Sequence, residues 1–142
     1  MNALMELYCC EDDDFMPRDT NNHVLRILVV EDDAFVRELN SDILSQSGYV
    51  VDTAEDGDAG LNAALAIPYD LIITDNNMPK LSGVQLVARL RAENSTVPII
   101  LASGAIPSAA EELSLSAILP KPYLGQQLVE MVQAIIGVPH PV

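Results

Sequence analysis

The sequence predicts an α/β fold, a doubly wound parallel sheet of five strands with helices on both faces. Three observations carry that prediction. Short apolar runs rich in β-branched residues recur at residues 25–30, 71–74 and 99–102, as strands buried on both faces require. Stretches of helical periodicity lie between them, so strand and helix alternate five times, and right-handed crossovers then put helices on both sides of the sheet. The apolar runs also stop abruptly at polar residues, where open α/β sheets bind their ligands.

The chain opens on residues 1–23, which hold Glu6, Glu11, Asp12, Asp13, Asp14 and Asp19 against Arg18 and show no periodicity. That composition predicts a disordered acidic leader. Strand one, residues 25–30, ends in Glu31, Asp32 and Asp33. Helix one follows to about Ser47, with Val36, Leu39, Ile43 and Leu44 on one face, and Gly48 stops it. Residues 49–54 form strand two. Asp56 can cap helix two, which carries Leu61, Ala64 and Leu65 and ends before Pro68.

Strand three, residues 71–74, leads to Asp75. Asn76, Asn77, Pro79, Ser82 and Gly83 then break regular structure. Helix three runs over about 83–93, with Leu86, Val87 and Leu90 inward. Pro98 opens strand four, residues 99–102, which ends at Ser103 and Gly104. A short, weak helix is expected at 108–113. Strand five, residues 117–119, ends at Pro120, Lys121 and Pro122. The last helix covers about 123–136, with Leu124, Leu128, Met131, Val132 and Ile135 inward. The tail, 138–142, is expected to fray. The whole reads as one domain over residues 24–137, with strand order 2-1-3-4-5.

Composition excludes several classes. No apolar run approaches a membrane span, and the acidic N-terminus is unlike a signal peptide. Cys9 and Cys10 are adjacent and outside the expected core, which suits incidental thiols in a reducing cytoplasm. Net charge is −14, and seven Lys+Arg are spread along the chain. That is no basic footprint, so the domain itself is expected not to bind nucleic acid.

The strand ends gather one constellation: Asp32 and Asp33 from strand one, Asp75 from strand three, Ser103 from strand four, Lys121 from strand five. Carboxylates so close raise each other's pKa or demand a cation, and a hard divalent ion such as Mg²⁺ suits oxygen ligands. Lys121 adds a compact positive charge and Ser103 a hydroxyl. Such a set can hold a phosphoryl group on Asp75 as nucleophile, because phosphoryl transfer needs in-line attack, charge neutralisation and positioning. A flavodoxin-type cofactor loop is disfavoured, since three acids after strand one would repel a phosphate.

Over about residues 25–137 the chain resembles the receiver domain of bacterial response regulators, a flavodoxin-like fold. The matching pieces are VVEDD (29–33), DNNMPKLSG (75–83), ASG (102–104) and LPKP (119–122). Each alone is common; their joint order on successive strand ends is specific. The resemblance implies that Asp75 is the phosphoacceptor. It implies that Asp33 binds Mg²⁺ directly and Asp32 through water, with the Asn77 carbonyl completing the ligands. Ser103 would move toward the phosphoryl group, Lys121 would pair with it, and the Lys121–Pro122 bond is often cis. Partners would be a histidine kinase or histidine phosphotransfer protein and a downstream protein target, with dimer formation possible on activation. The chain would catalyse only its own phosphorylation and dephosphorylation. A non-phosphorylated pseudo-receiver, or the receiver segment of a hybrid kinase, are the alternatives.

Two features depart from the family pattern. Ile118 stands where receivers usually carry an aromatic switch, three residues before Lys121. The stretch from Ser103 to Lys121 is short by roughly one helical turn. The expectation is that activation orders the segment after Ser103 instead of flipping a ring at Ile118.

Overall fold

The fold is described by a computed structural model that covers residues 24–105 and 114–139. In chain order its elements are β1 (Arg26–Val30), α1 (Ala34–Gln46), β2 (Val50–Ala54), α2 (Gly57–Ala66), β3 (Leu71–Asp75), α3 (Gly83–Ala92), β4 (Ile99–Ser103), β5 (Ala117–Pro120) and α4 (Gly125–Ile136). The five strands pair in parallel in the order β2-β1-β3-β4-β5. The sheet order and the alternation thus match the expectation. The leader and the weak helix expected at 108–113 lie outside the described residues.

Alternation along the strands sorts the core into two layers, because successive side chains point to opposite faces. Ile27, Val29, Ile73 and Ile100 face one layer, where Leu44 of α1 and Leu128 and Val132 of α4 cover them. Leu28, Val30, Ile72 and Ile99 face the other, against Leu86, Val87 and Leu90 of α3 and the partly buried Leu61 and Ala64 of α2. Every residue of β3 and β4 is buried, as the unbroken apolar runs require.

Local chemistry sets the helix ends. Asp56 accepts a hydrogen bond from the Ala59 amide and caps α2. Ser82 and Gln85 form a reciprocal capping box that starts α3. Gly48, at φ 100°, ends α1 in the left-handed region that favours glycine.

One boundary differs from expectation. The last helix begins at Gly125, not Tyr123, and Leu124 sits extended at its N-cap, 69% exposed instead of packed inward. Gly125 lies so close to α1 that a Cβ there would meet Ile43 Cδ1 at 2.8 Å. Just ahead of the tail, Tyr49 Oη donates to the Gly137 carbonyl at 2.6 Å. Among the described residues, no helix is long and apolar enough to cross a membrane.

Candidate functional site

The carboxyl ends of β1, β3, β4 and β5 converge on one acidic depression. β3 is buried throughout and delivers Asp75, itself 5% exposed, to its last position. Glu31 and Asp32 follow β1, and the Glu31 amide still bonds to the Ala54 carbonyl of β2 at 3.0 Å. One carboxylate oxygen from each of Glu31, Asp32 and Asp75 lies within 4.8 Å of the others. From β5 comes Lys121, whose Nζ donates to Asp75 Oδ1 at 2.7 Å and lies 4.0 Å from Glu31 Oε1. Its backbone amide is fixed on the Ser103 carbonyl at 3.0 Å, and its bond to Pro122 is cis, in agreement with the resemblance.

This arrangement does not bring all of the expected residues together. Asp33, expected as a direct ligand, is outside the carboxylate cluster. It is the N-cap of α1, where Oδ1 accepts from the amides of Phe35 and Val36 at 2.9 and 3.2 Å. Glu31 takes its place in the cluster. The reason is register: β1 ends at Val30, so the first two acids face the strand-end depression and the third begins the helix. Glu31 was missed because three consecutive acids carry no mark of which one the helix will claim; the apolar helical pattern starting at Phe35 was the available signal.

Glu31 is 4% exposed, and burial pushes its carboxyl up to about 7. The Asp33 amide, donating to Glu31 Oε2 at 3.3 Å, opposes the shift, while Asp75 adds to it. Burial disfavours the Lys121 ammonium, yet the hydrogen bond from it to Asp75 and the charges of Asp75 and Glu31 lift its pKa above the usual lysine range. Among the described residues the cluster therefore holds three acids against one base. That imbalance fits a small divalent cation, since the donors are all hard oxygens. The Arg37 guanidinium donates to the Glu31 carbonyl at 2.8 Å and so braces the loop after β1.

The loop after β3 is built against its own backbone. The Asn76 amide donates to the Ala102 carbonyl at 3.1 Å, and the Asn76 side chain accepts from the Val84 amide at 3.0 Å. Gly83 sits where a Cβ would lie 2.5 Å from the Asp75 carbonyl oxygen, so only glycine fits. This packing presents Asn77 at the exposed lip. Ser103 is buried at the end of β4, but its hydroxyl donates to the Ala105 carbonyl and does not bond Asp75. Ile118 is partly buried in β5. The site thus unites Asp32, Asp75 and Lys121 in direct proximity, adds Glu31, and leaves out Asp33.

Comparison with known proteins agrees with this geometry. Residues 27–133 match the family model of the response regulator receiver domain. The chain is 31% identical over 119 residues to the transcriptional regulatory protein FixJ of Bradyrhizobium diazoefficiens, an alignment covering 81% of this chain and 58% of that protein. It is 36% identical over 122 residues to a protein-glutamate methylesterase/protein-glutamine glutaminase of Methanosarcina acetivorans, covering 78% of this chain and 34% of the relative. The chain therefore spans only about a third to just over half the length of these curated relatives. Among solved structures it resembles the chemotaxis protein CheY4 of Vibrio cholerae, with a TM-score of 0.73, 27% identity, and coverage of 80% of this chain and 99% of that one. By the family model, the sheet order and the strand-end acids together, the chain belongs to the response regulator receiver domains of two-component signalling.

Proposed function

We propose that this receiver accepts a phosphoryl group on Asp75 from a phosphohistidine donor and passes the signal on by protein contact. The observation that carries the reading is the placement of Asp75: a nucleophilic carboxylate at the end of a buried strand, 2.7 Å from Lys121 and clustered with Glu31 and Asp32. An Asp75 oxygen attacks phosphorus in line, the phosphorus–nitrogen bond to the donor imidazole breaks, and the imidazole leaves with its electron pair. Lys121 is positioned to take a phosphoryl oxygen as a charge-assisted partner. The Ser103 hydroxyl, at the end of the neighbouring strand, would turn from the Ala105 carbonyl toward a second oxygen.

The carboxylates of Glu31, Asp32 and Asp75, with the Asn77 carbonyl, would hold Mg²⁺. Bound there, the ion offsets the negative charge that otherwise keeps an incoming phosphate away. The donor would approach over the apolar surface beside the site, where Phe35, Leu39 and Leu124 are 75, 46 and 69% exposed. Nothing in the domain's charge suits nucleic acid, so the direct partners proposed here are proteins.

Intact mass spectrometry after incubation with acetyl phosphate and Mg²⁺ tests the reading. One phosphoryl adduct is expected, absent in Asp75→Asn and absent with excess EDTA. An unchanged mass in the wild-type protein, or a persistent adduct in the variant, would overturn it in favour of a binding module that keeps the fold without the chemistry.

A further inference from the structure

Asn40 is a polar residue in the wrong place. It lies in the middle of α1, 4% exposed, on the face that packs inward. A buried amide costs stability unless it finds a partner, and a valine or leucine would fill the space at no such cost. Its partner comes from 83 residues away: Asn40 Nδ2 donates to Tyr123 Oη at 2.8 Å. Tyr123 stands two residues beyond Lys121, across Pro122.

We propose that the Asn40–Tyr123 pair is a relay that carries the state of Asp75 to the exposed face of α1. The inference rests on the phosphoacceptor reading. Lys121 is tied to Asp75 Oδ1 at 2.7 Å, and its amide is tied to β4. A phosphoryl group converts the carboxylate into an acyl phosphate and moves the negative charge outward onto new oxygens. Lys121 must follow that charge. The strain passes to the residues after it, because the backbone before Pro122 is held by the sheet. The next side chain with a directional bond is Tyr123, and that bond ends on α1.

Space exists for the ring to respond. A cavity of about 430 Å³ lies along this seam, lined by Val36, Leu39, Asn40, Lys121, Pro122 and Tyr123. Val36 and Leu39 share the α1 surface with exposed Phe35, so a shift at Asn40 reaches the face on which a donor would sit. Ile118, at the usual aromatic position, offers no ring and no polar handle. Tyr123 has both, and it lies within the field of Lys121, Glu31 and Asp75. A partner on α1 could then distinguish the loaded from the empty domain without any aromatic side chain at position 118.

The test uses the full chain labelled with 3-fluorotyrosine, with beryllofluoride and Mg²⁺ as the phosphoryl mimic. The Tyr123 fluorine signal, assigned through Tyr123→Phe, should shift by several line widths on adding the mimic. Tyr49 and Tyr69, which lie just before the amino ends of β2 and β3, should stay in place. In an Asn40→Val/Tyr123→Phe double variant, which keeps the volume and removes the polar pair, the mimic should still shift the Asp75 amide. Acetyl phosphate should still label that variant at close to the wild-type rate, while the amide shifts at Phe35 and Leu39 should be largely lost. A silent Tyr123 beside a responding Asp75 would overturn the relay alone, and so would α1 shifts undiminished in the double variant. No response at Asp75 or Ser103 in the wild-type protein would overturn the phosphoacceptor reading and the relay with it.

Discussion

Glu31 and Asp33 are two residues apart and do unrelated work, because a strand hands over to a helix between them. The distinction is measurable. Asp33→Ala should remove the cap of α1 and lower stability by about 1 kcal/mol, with little change in Mg²⁺ affinity. Asp32→Ala should leave the cap intact and weaken Mg²⁺ binding by more than about tenfold, as loss of a charged ligand to a hard cation does. Isothermal titration and thermal melts separate the two effects; a tenfold loss of Mg²⁺ affinity in Asp33→Ala would restore that residue to the site. That Asp75, Ser103 and Lys121 stand at strand ends was legible in the sequence, because each closes or directly follows a short apolar run. The register of the acids after β1 was not, since it depends on the last ladder bond to Ala54, a contact made by a different strand. Asn40 was illegible for a related reason: its partner is remote, and a polar residue within an amphipathic pattern reads as the solvent face.

At the scale of elements, the site depends on how closely the loop after β3 approaches its neighbours. Gly83, the first residue of α3, lies with its Cα hydrogens against the Asp75 carbonyl, the Leu101 side chain and the Asn76 backbone. A Cβ would fall 2.5, 2.8 and 2.9 Å from these atoms. Two of the three are backbone and cannot step aside. Gly83→Ala should therefore cost about 1–3 kcal/mol through overpacking, although alanine is the better helix former. It should also slow phosphorylation, since the clash displaces the residue that carries the nucleophile. Gly104→Ala is the control: among the described residues a Cβ there meets nothing within 4 Å, so stability should stay within about 0.5 kcal/mol. Chemical denaturation with phosphorylation assays checks both, and equal behaviour of the two variants would contradict the packing argument. Strands were easier to read than helix ends. An apolar run declares its own burial, whereas α4 starts after Leu124 with no side-chain cap, a boundary that no local residue marks in the sequence.

At the scale of the whole molecule, a chain of net charge −14 concentrates further negative charge at one point and holds it there with a single lysine. Stability should consequently depend on pH and on Mg²⁺ in a coupled way. Glu31 carries a pKa of about 7 in the fold against 4.5 ordinarily. Between those values the folded chain binds a proton that the unfolded chain has released. Folding is therefore favoured at the acid end of the interval, and that contribution fades as pH rises through about 7. Without metal, the melting temperature should fall by on the order of 5 °C between pH 5 and pH 7.5. In Glu31→Gln, which cannot ionise, most of that slope should vanish. Asp56, held below the usual carboxylate range mainly by the Ala59 amide, titrates at lower pH and adds nothing to this slope. Mg²⁺ at millimolar concentration should act in the opposite sense. Its ligands bind as carboxylates, so its stabilising effect grows as Glu31 loses its proton, and the gap between metal-loaded and metal-free melting curves should widen toward pH 7.5. A gap that is constant with pH, or a slope equally steep in Glu31→Gln, would place the titration elsewhere in this acidic chain and detach Glu31 from the cation site.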